Sequence, residues 1–285
     1  MSLTLRSPAK INLFLRVTHK LLNGYHELAS LMQTVSLYDT LHIKLAQHDR
    51  FTCNVPYLPI DESNLVIRAL DQFRFFYKED FRVHVRLDKE IPIQAGLGGG
   101  SSDAATMLWG LNELVGSPFD DDELASIGAE IGSDVPFFFS RGTAYCRGRG
   151  EIVDPLNPLP FEEIWIVKPL EGLSTPVVYE TFDLQADELA ASGLKSPSLR
   201  PPEESMTRII QGEKDFYNDL EAPAFHLVPR LKEIKEKLLD SGFSQVVLCG
   251  SGTALFCVGD GVIPEIVGAV STKVKFINRQ PDEWY

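Results

Sequence analysis

Pro92-Ile93-Gln94-Ala95-Gly96-Leu97-Gly98-Gly99-Gly100-Ser101-Ser102-Asp103 is the stretch on which the reading of this chain turns. Four of its twelve residues are glycine and two adjacent ones are serine. Ala104, Met107, Leu108, Leu111 and Val115 follow at helical spacing, and Gly116 stands where a C-terminal cap would. Ahead of it, Phe81, Val83, Val85 and Leu87 alternate with Arg82, His84, Arg86 and Asp88, the pattern of a half-buried strand. The order strand, glycine loop, helix points to phosphate. Glycines let the backbone come close to a ligand, and the free N–H groups and positive dipole end of a helix attract an anion. The plain alternative is a flexible surface loop, and four glycines set tightly before a strong helix speak against it.

Two commoner nucleotide loops do not fit. A Walker A loop needs Lys and then Ser or Thr after its last glycine, whereas Gly100 is followed by Ser101-Ser102. The dinucleotide fingerprint can be laid on Gly96 and Gly98 but finds no third glycine at the required spacing, and no acid downstream is placed to hold a ribose.

The 285 residues allow one large or two ordinary domains, and 44% hydrophobic with 24% charged residues is a globular composition. Against 27 basic residues stand 40 acidic ones, a formal charge of −13. That excludes a broad nucleic-acid surface and leaves room for a local basic phosphate pocket. Met1-Ser2-Leu3-Thr4-Leu5-Arg6 is no signal peptide, and no apolar run approaches a membrane span. Cys53, Cys146, Cys249 and Cys257 are scattered, which fits reduced thiols in a cytoplasmic protein better than a disulfide or a zinc site.

From residue 10 to 18 the chain alternates, with Ile11, Leu13, Leu15 and Val17 on one face and Lys10, Asn12, Phe14 and Arg16 on the other. Lys10 and Asn12 side by side after Pro8-Ala9 suit a cleft wall, although such a pair taken alone reads more readily as a solvated face. Leu22-Asn23-Gly24-Tyr25-His26 carries the Asn-Gly hairpin signal beside an aromatic ring and an imidazole. The segment from Leu41 to Leu45 and the run Phe51-Thr52-Cys53 read as further strands. Asp61 or Ser63 is placed to cap a helix whose stripe is Val66, Ala69, Leu70, Phe73 and Tyr77. Asp120-Asp121-Asp122-Glu123 opens another, where negative charge suits the helix dipole better than a metal. It stops at Gly132-Ser133-Asp134-Val135-Pro136, before three phenylalanines. Asp134 is then either an acid in an apolar site or the N-cap of a short helix starting near Pro136.

Turn residues cluster at Asp154-Pro155-Leu156-Asn157-Pro158, and a boundary is placed there, giving domains 1–155 and 156–285. The second half reads as a strand at Ile164–Val167, a helix near Pro176–Phe182, a loose stretch from Ala186 to Pro202, and two helical segments. The second of these carries Leu231, Ile234 and Leu238. A hairpin of Val246–Leu248 and Ala254–Val258 turns at Gly250-Ser251-Gly252, and a helix Pro264–Val270 and a strand Val274–Ile277 close the chain. Helices over one face of an antiparallel sheet make an α+β class.

Taken together, Pro8-Ala9-Lys10-Ile11-Asn12-Leu13, Asn23-Gly24-Tyr25-His26, the loop Gly96–Asp103, Gly132-Ser133-Asp134-Val135-Pro136-Phe137, Asn218-Asp219-Leu220-Glu221 and Gly250-Ser251-Gly252 resemble, in this order, one family. It is the 4-diphosphocytidyl-2-C-methyl-D-erythritol kinases, of the galactokinase, homoserine kinase, mevalonate kinase and phosphomevalonate kinase (GHMP) superfamily. The family usually has Asp where Asn23 stands.

The resemblance implies a two-domain α+β GHMP kinase fold, with an N-terminal domain like ribosomal protein S5, a ferredoxin-like C-terminal domain and the active site in the cleft between. It implies ATP as co-substrate, Mg²⁺, and phosphorylation of the 2-hydroxyl of diphosphocytidyl methylerythritol in the non-mevalonate isoprenoid pathway. By resemblance, Pro92, Ile93, Gln94, Ala95, Gly96, Leu97, Gly98, Gly99, Gly100, Ser101 and Ser102 wrap the ATP phosphates, Ser101 or Ser102 contacting Mg²⁺, and Asn64 lies near the adenine. Asp134 matches the catalytic base and Lys10 its cationic partner. Asn12, Tyr25, His26, Thr175, Tyr179, Gly250 and Ser251 match the substrate side, with cytosine between the rings of Tyr25 and Tyr179. The rival readings are a kinase of the same fold acting on homoserine or mevalonate, a non-catalytic ATP sensor, and a dinucleotide oxidoreductase.

Overall fold

The computed structural model describes residues 1–22, 24–160, 162–191, 201–281 and 283–285. It opens on a long antiparallel hairpin of β1 (Ser2–Lys20) and β2 (His26–Ala46). The Leu21 N–H donates to the Tyr25 carbonyl at 2.7 Å and the Gly24 N–H to the Leu21 carbonyl at 3.0 Å, closing the expected turn. Asn23 itself lies outside the described residues.

Then come β3 (Arg50–Cys53), α1 (Leu65–Tyr77), β4 (Arg82–Asp88), α2 (Gly99–Leu114), α3 (Asp121–Ala129), a 3-10 helix at Pro136–Phe139, β5 (Thr143–Gly148) and β6 (Ile152–Pro155). The second half supplies β7 (Glu163–Pro169), α4 (Thr175–Ala191), α5 (Pro202–Ile210), β8 (Tyr217–Asn218), α6 (Glu221–Leu227), α7 (Arg230–Asp240), β9 (Gln245–Leu248), β10 (Leu255–Val258) and β11 (Ala269–Lys275).

Among the described residues these strands form two sheets. The first runs β3-β4-β2-β1-β8, with β5 and β6 continuing from β2. The second is antiparallel throughout, in the order β11-β7-β10-β9. The short β8 pairs in parallel with β1 at Phe14 and Leu15, so the second half of the chain lends two residues to the first sheet. Helices α1 to α3 bury Val66, Phe73, Met107, Leu111 and Leu124 against the first sheet. Helix α7 packs Leu231, Ile234 and Leu238 against the second. Between the sheets lies another core, where Ile11 and Phe14 of β1 meet Ile166, Val247 and Phe256.

Strand β1 is therefore buried on both sides, and its faces are not those the alternation predicts. It slips register against β2 between Asn12 and Phe14, so Leu13 is the extra residue of a bulge. Beyond it the parity reverses. Phe14 joins the inter-sheet core and stacks on Tyr217 at 5.5 Å, and Arg16 lies over the same ring. Leu15 takes the place expected of Phe14, lining a cleft beside Lys10 and Asn12.

Four further readings need correction. The N-cap of α1 is neither Asp61 nor Ser63 but Asn64, whose side chain accepts from the Val66 N–H. Pro264 to Val270 is not a helix. Gly268, at φ +68°, turns the chain into β11, while Ile263 and Ile266 pack on the core under α7 and so mimic helical spacing. Part of the expected loose stretch belongs to α4, which runs on to Ala191, and residues 192–200 lie outside the described residues. Three helices, not two, follow before β9. At α3 the acid cluster does what the dipole argument expects: Asp120 and Glu123 form a reciprocal capping box.

Candidate active site

Three backbone segments meet at the glycine loop. The Lys10 N–H of β1 donates to the Leu97 carbonyl at 2.9 Å, and the Ala254 N–H donates to the Ala95 carbonyl at 3.1 Å. Glycine is required where they touch. A Cβ on Gly96 would lie 1.7 Å from the Cys249 carbonyl oxygen, and one on Gly252 would lie 2.0 Å from the Ala95 carbonyl carbon. Gly98, at φ +70°, is the N-cap of α2, and its bare Cα lets the Lys10 side chain lie across the loop, 2.8 Å from where a Cβ would stand.

Lys10 is 3% exposed. Its Nζ donates to Asn12 Oδ1 at 2.8 Å and pairs with Asp134 Oδ2 at 3.3 Å. The Asn12 amide donates to Ser30 Oγ at 2.8 Å, and that hydroxyl donates to the Phe14 carbonyl at 2.7 Å. The lysine is thus aimed by a chain of hydrogen bonds that ends on backbone. Val135, not Asp134, occupies the N-cap position of the 3-10 helix, and no side chain caps it. Of the two meanings open to Asp134, the geometry leaves the acid beside a cation. Gly150, at φ +119°, comes so close that a Cβ there would lie 3.0 Å from Asp134 Oδ1.

Two hollows adjoin along the loop. One, of about 860 Å³, holds Lys10, Asn12, Asp134, Tyr25, Thr175, Tyr179, Gly250 and Ser251 on its walls. The other, of about 320 Å³, is lined by Asn64, Lys89 and the loop from Pro92 to Ser101. Gly96, Gly98 and Ser101 border both. Ser101 reaches the hollows, whereas Ser102 is buried behind it with a hydroxyl that has no partner among the described residues.

At the far end of the larger hollow, His26 stacks on Tyr179 with ring centroids 4.9 Å apart, and its Nε2 meets Asp183 Oδ1 of α4 at 2.7 Å. Asp183 Oδ2 also accepts from Lys20 Nζ at 2.6 Å. Burial pushes the Asp183 carboxyl up, but the hydrogen bonds from Lys20 and His26 outweigh it and hold the group below its usual range. Tyr25 stands at the mouth, with the Arg149 guanidinium 5.3 Å from its ring centre. Thr175 and Ser251 share a hydroxyl hydrogen bond of 2.7 Å, tying α4 to the β9–β10 turn.

Beneath the smaller hollow a buried lysine joins two carboxylates. Lys89 Nζ meets Asp39 Oδ2 and, at 2.7 Å, Asp103 Oδ2. Asp39 Oδ1 accepts from the Glu90 and Ile91 N–H groups, fixing the chain just ahead of the loop. Sequence reasoning missed Ser30, Lys89, Asp39, Asp183 and Gly150. Each acts through a partner distant in sequence, so no local pattern marks it.

Models of two families match: GHMP kinases N terminal domain at residues 64–142, and GHMP kinases C terminal at residues 190–274. A 4-diphosphocytidyl-2-C-methyl-D-erythritol kinase of Protochlamydia amoebophila is 48% identical over 100% of this chain and 93% of its own length. The chain belongs to this GHMP kinase family. A chloroplastic kinase of the same name from Arabidopsis thaliana is 40% identical over 99% of this chain and 76% of its own. A crystal structure of 4-(cytidine 5'-diphospho)-2C-methyl-D-erythritol kinase superposes with a TM-score of 0.78 at 31% identity, covering 96% of this chain and 99% of that one. Homoserine kinase from Cytophaga hutchinsonii, at 15% identity and a TM-score of 0.71, shares the fold. The two-domain α+β GHMP kinase fold expected from the motifs is the fold observed. No helix among the described residues is long and apolar enough to cross a membrane.

Proposed function

We propose that this GHMP kinase, acting in the cytoplasm, transfers the γ-phosphoryl group of ATP to the 2-hydroxyl of 4-diphosphocytidyl-2-C-methyl-D-erythritol, giving the 2-phosphate and ADP. The observation that carries the reading is the Lys10–Asp134 pair on the wall of a hollow large enough for a nucleotide-sized acceptor, which adjoins a second hollow lined by the glycine loop.

ATP lies with its adenine in the smaller hollow near Asn64 and its phosphates over Gly96 to Ser101, where backbone N–H groups and the α2 dipole face them. The acceptor occupies the larger hollow. Its cytosine rests between Tyr25 and Tyr179 with His26 at its edge, and its hydroxyl points to Asp134. As the acceptor oxygen forms its bond to the γ-phosphorus and the bond to the ADP oxygen breaks, the hydroxyl proton passes to the Asp134 carboxylate. Lys10, 3.3 Å from the Asp134 carboxylate, offsets the charge on the transferring group. Asn12 serves by aiming Lys10, and Thr175, Gly250 and Ser251 close the wall behind the acceptor. The oxygen donors at hand fit a Mg²⁺ ion arriving with ATP, since such an ion keeps phosphate and water ligands and needs few from protein. Ser101, on the rim of both hollows, would hold it and Ser102 stands behind, the ion neutralising phosphate charge.

Release of ADP is the test, with the cytidyl substrate, homoserine and mevalonate offered in parallel. Turnover with the first alone is expected, and comparable or faster turnover with either of the others overturns the reading.

A further inference from the structure

We propose that Arg279 is a positioning residue for Asp134, gripping from the C-terminal tail both ends of the segment that presents this base. The inference rests on Asp134 acting as the base.

Asp134 lies in the loop between α3 and the 3-10 helix, so its placement depends on how that segment is anchored. Arg279, 6% exposed, is the anchor at both ends. Its Nη2 donates to the Phe139 carbonyl at 2.7 Å and its Nε to the Ser140 carbonyl at 3.2 Å, a cation on the last carbonyls of the 3-10 helix. The same Nη2 pairs with Asp121 Oδ2 in the first turn of α3. One guanidinium therefore holds residues 121 and 139 together, with Asp134 on the strand of chain between them. A planar fork with five donors suits this, where an ammonium would reach fewer partners.

The tail that carries Arg279 is itself fixed. Ile277 is hydrogen-bonded to β2 on both sides, its N–H donating to the Thr34 carbonyl at 3.1 Å and its carbonyl accepting from the Gln33 side-chain Nε2 at 2.8 Å. The Arg279 N–H donates to the Arg141 carbonyl at 3.2 Å. Trp284 covers the guanidinium, stacks on Trp109 of α2 at 5.5 Å and donates through Nε1 to Thr106 Oγ1. β2 also carries Ser30, a link in the hydrogen-bond chain that aims Lys10. Base and lysine are thus referenced to one strand, the base through Arg279.

The test uses the full chain with Arg279→Met, Arg279→Lys and Asp121→Asn, each alone and combined with Asp134→Asn. Arg279→Met is expected to lower kcat roughly 10- to 100-fold, because a shift of about 1 Å at a reacting group has that effect, while the KM for ATP stays within about two-fold. Arg279→Lys recovers part of the loss, and Asp121→Asn, which removes one of the grips, gives a smaller loss of the same kind. In the Asp134→Asn background the Arg279→Met effect shrinks to within about two-fold, since the group it positions is gone. Equal losses in both backgrounds, or a loss confined to the KM for ATP, overturn the proposal and leave the tail as packing. Should Arg279→Met fail to fold, the two milder variants decide in the same way. If Asp134→Asn keeps normal turnover, the base assignment fails on its own. A crystal structure of Arg279→Lys then decides the positioning, and an Asp134–Lys10 separation unchanged from 3.3 Å overturns it.

Discussion

Lys10 Nζ stands 3.3 Å from Asp134 Oδ2 and 2.8 Å from Asn12 Oδ1, so one buried ammonium joins the acid of a loop to the amide of its own strand. Removing the acid and keeping its shape is the direct test. Asp134→Asn is expected to lower kcat by roughly 10²- to 10⁴-fold, with the KM for ATP little changed and the melting temperature close to that of the parent. Steady-state kinetics beside thermal melts check this, and near-normal turnover rules out Asp134 as the base.

Gly98 separates the loop from that lysine. Its φ of +70° disfavours any side chain, and a Cβ would meet Lys10 Cγ at 2.8 Å. Gly98→Val is therefore expected to weaken ATP binding and turnover together. At Gly99 a Cβ meets Ile91 Cγ2 at 2.9 Å and Lys89 Nζ at 3.1 Å, on the side away from Lys10. Gly99→Val should then weaken ATP binding more than it slows bound ATP. Calorimetry with ATP and with the cytidyl substrate separates these outcomes from general misfolding, which weakens both ligands alike.

His26 stacks on Tyr179, the ring proposed to form one face of the cytosine site. Base–aromatic stacking contributes about 1–3 kcal/mol per ring. Tyr25→Ala or Tyr179→Ala should accordingly lower kcat/KM for the cytidyl substrate by roughly 5- to 150-fold, and phenylalanine at either position should restore most of it. The KM for ATP stays within a few-fold. An unchanged kcat/KM in Tyr179→Ala means that this ring only packs against His26.

The buried pair of carboxylates around Lys89 sets a pH dependence. Burial pushes the Asp103 carboxyl up, Lys89 pulls it back and Asp39 pushes again, leaving it at about 8. An unfolded aspartate titrates near about 4, so between these values the folded chain holds a proton that the unfolded chain has released. Its contribution is complete at low pH and is lost as pH rises through the folded value. Melting temperatures of the parent are expected to fall between about pH 5 and 9 more steeply than those of Asp103→Asn. Parallel slopes for the two proteins would contradict it.

What the residues revealed by themselves was whatever is local. The glycine loop, the Asn-Gly hairpin, the stripe of α1 and the acid cluster opening α3 each declare themselves within a dozen residues, because turn chemistry, dipoles and periodicity act at that range. The bulge at Leu13 did not, since alternating apolar residues look the same whether or not the register slips. Ile263 and Ile266 misled for the converse reason, an irregular segment burying residues at helical intervals. The pairing of Lys10 with Asp134 came from family resemblance and not from spacing. Contacts such as His26 with Asp183, 157 residues apart, and Arg279 with Asp121, 158 apart, are made by the tertiary fold alone.

The two residues of β8 bear on how the gene can be divided. They cover the outer edge of β1 at Phe14 and Leu15, and the tail beyond Phe276 returns to cover Trp109. A cut near residue 158 would release an N-terminal piece with an open strand edge and a bare aromatic face, a template for aggregation. Its complement would carry the strand and the plug that belong to it. The halves are thus suited to fragment complementation, recovering activity when expressed together and not when made apart.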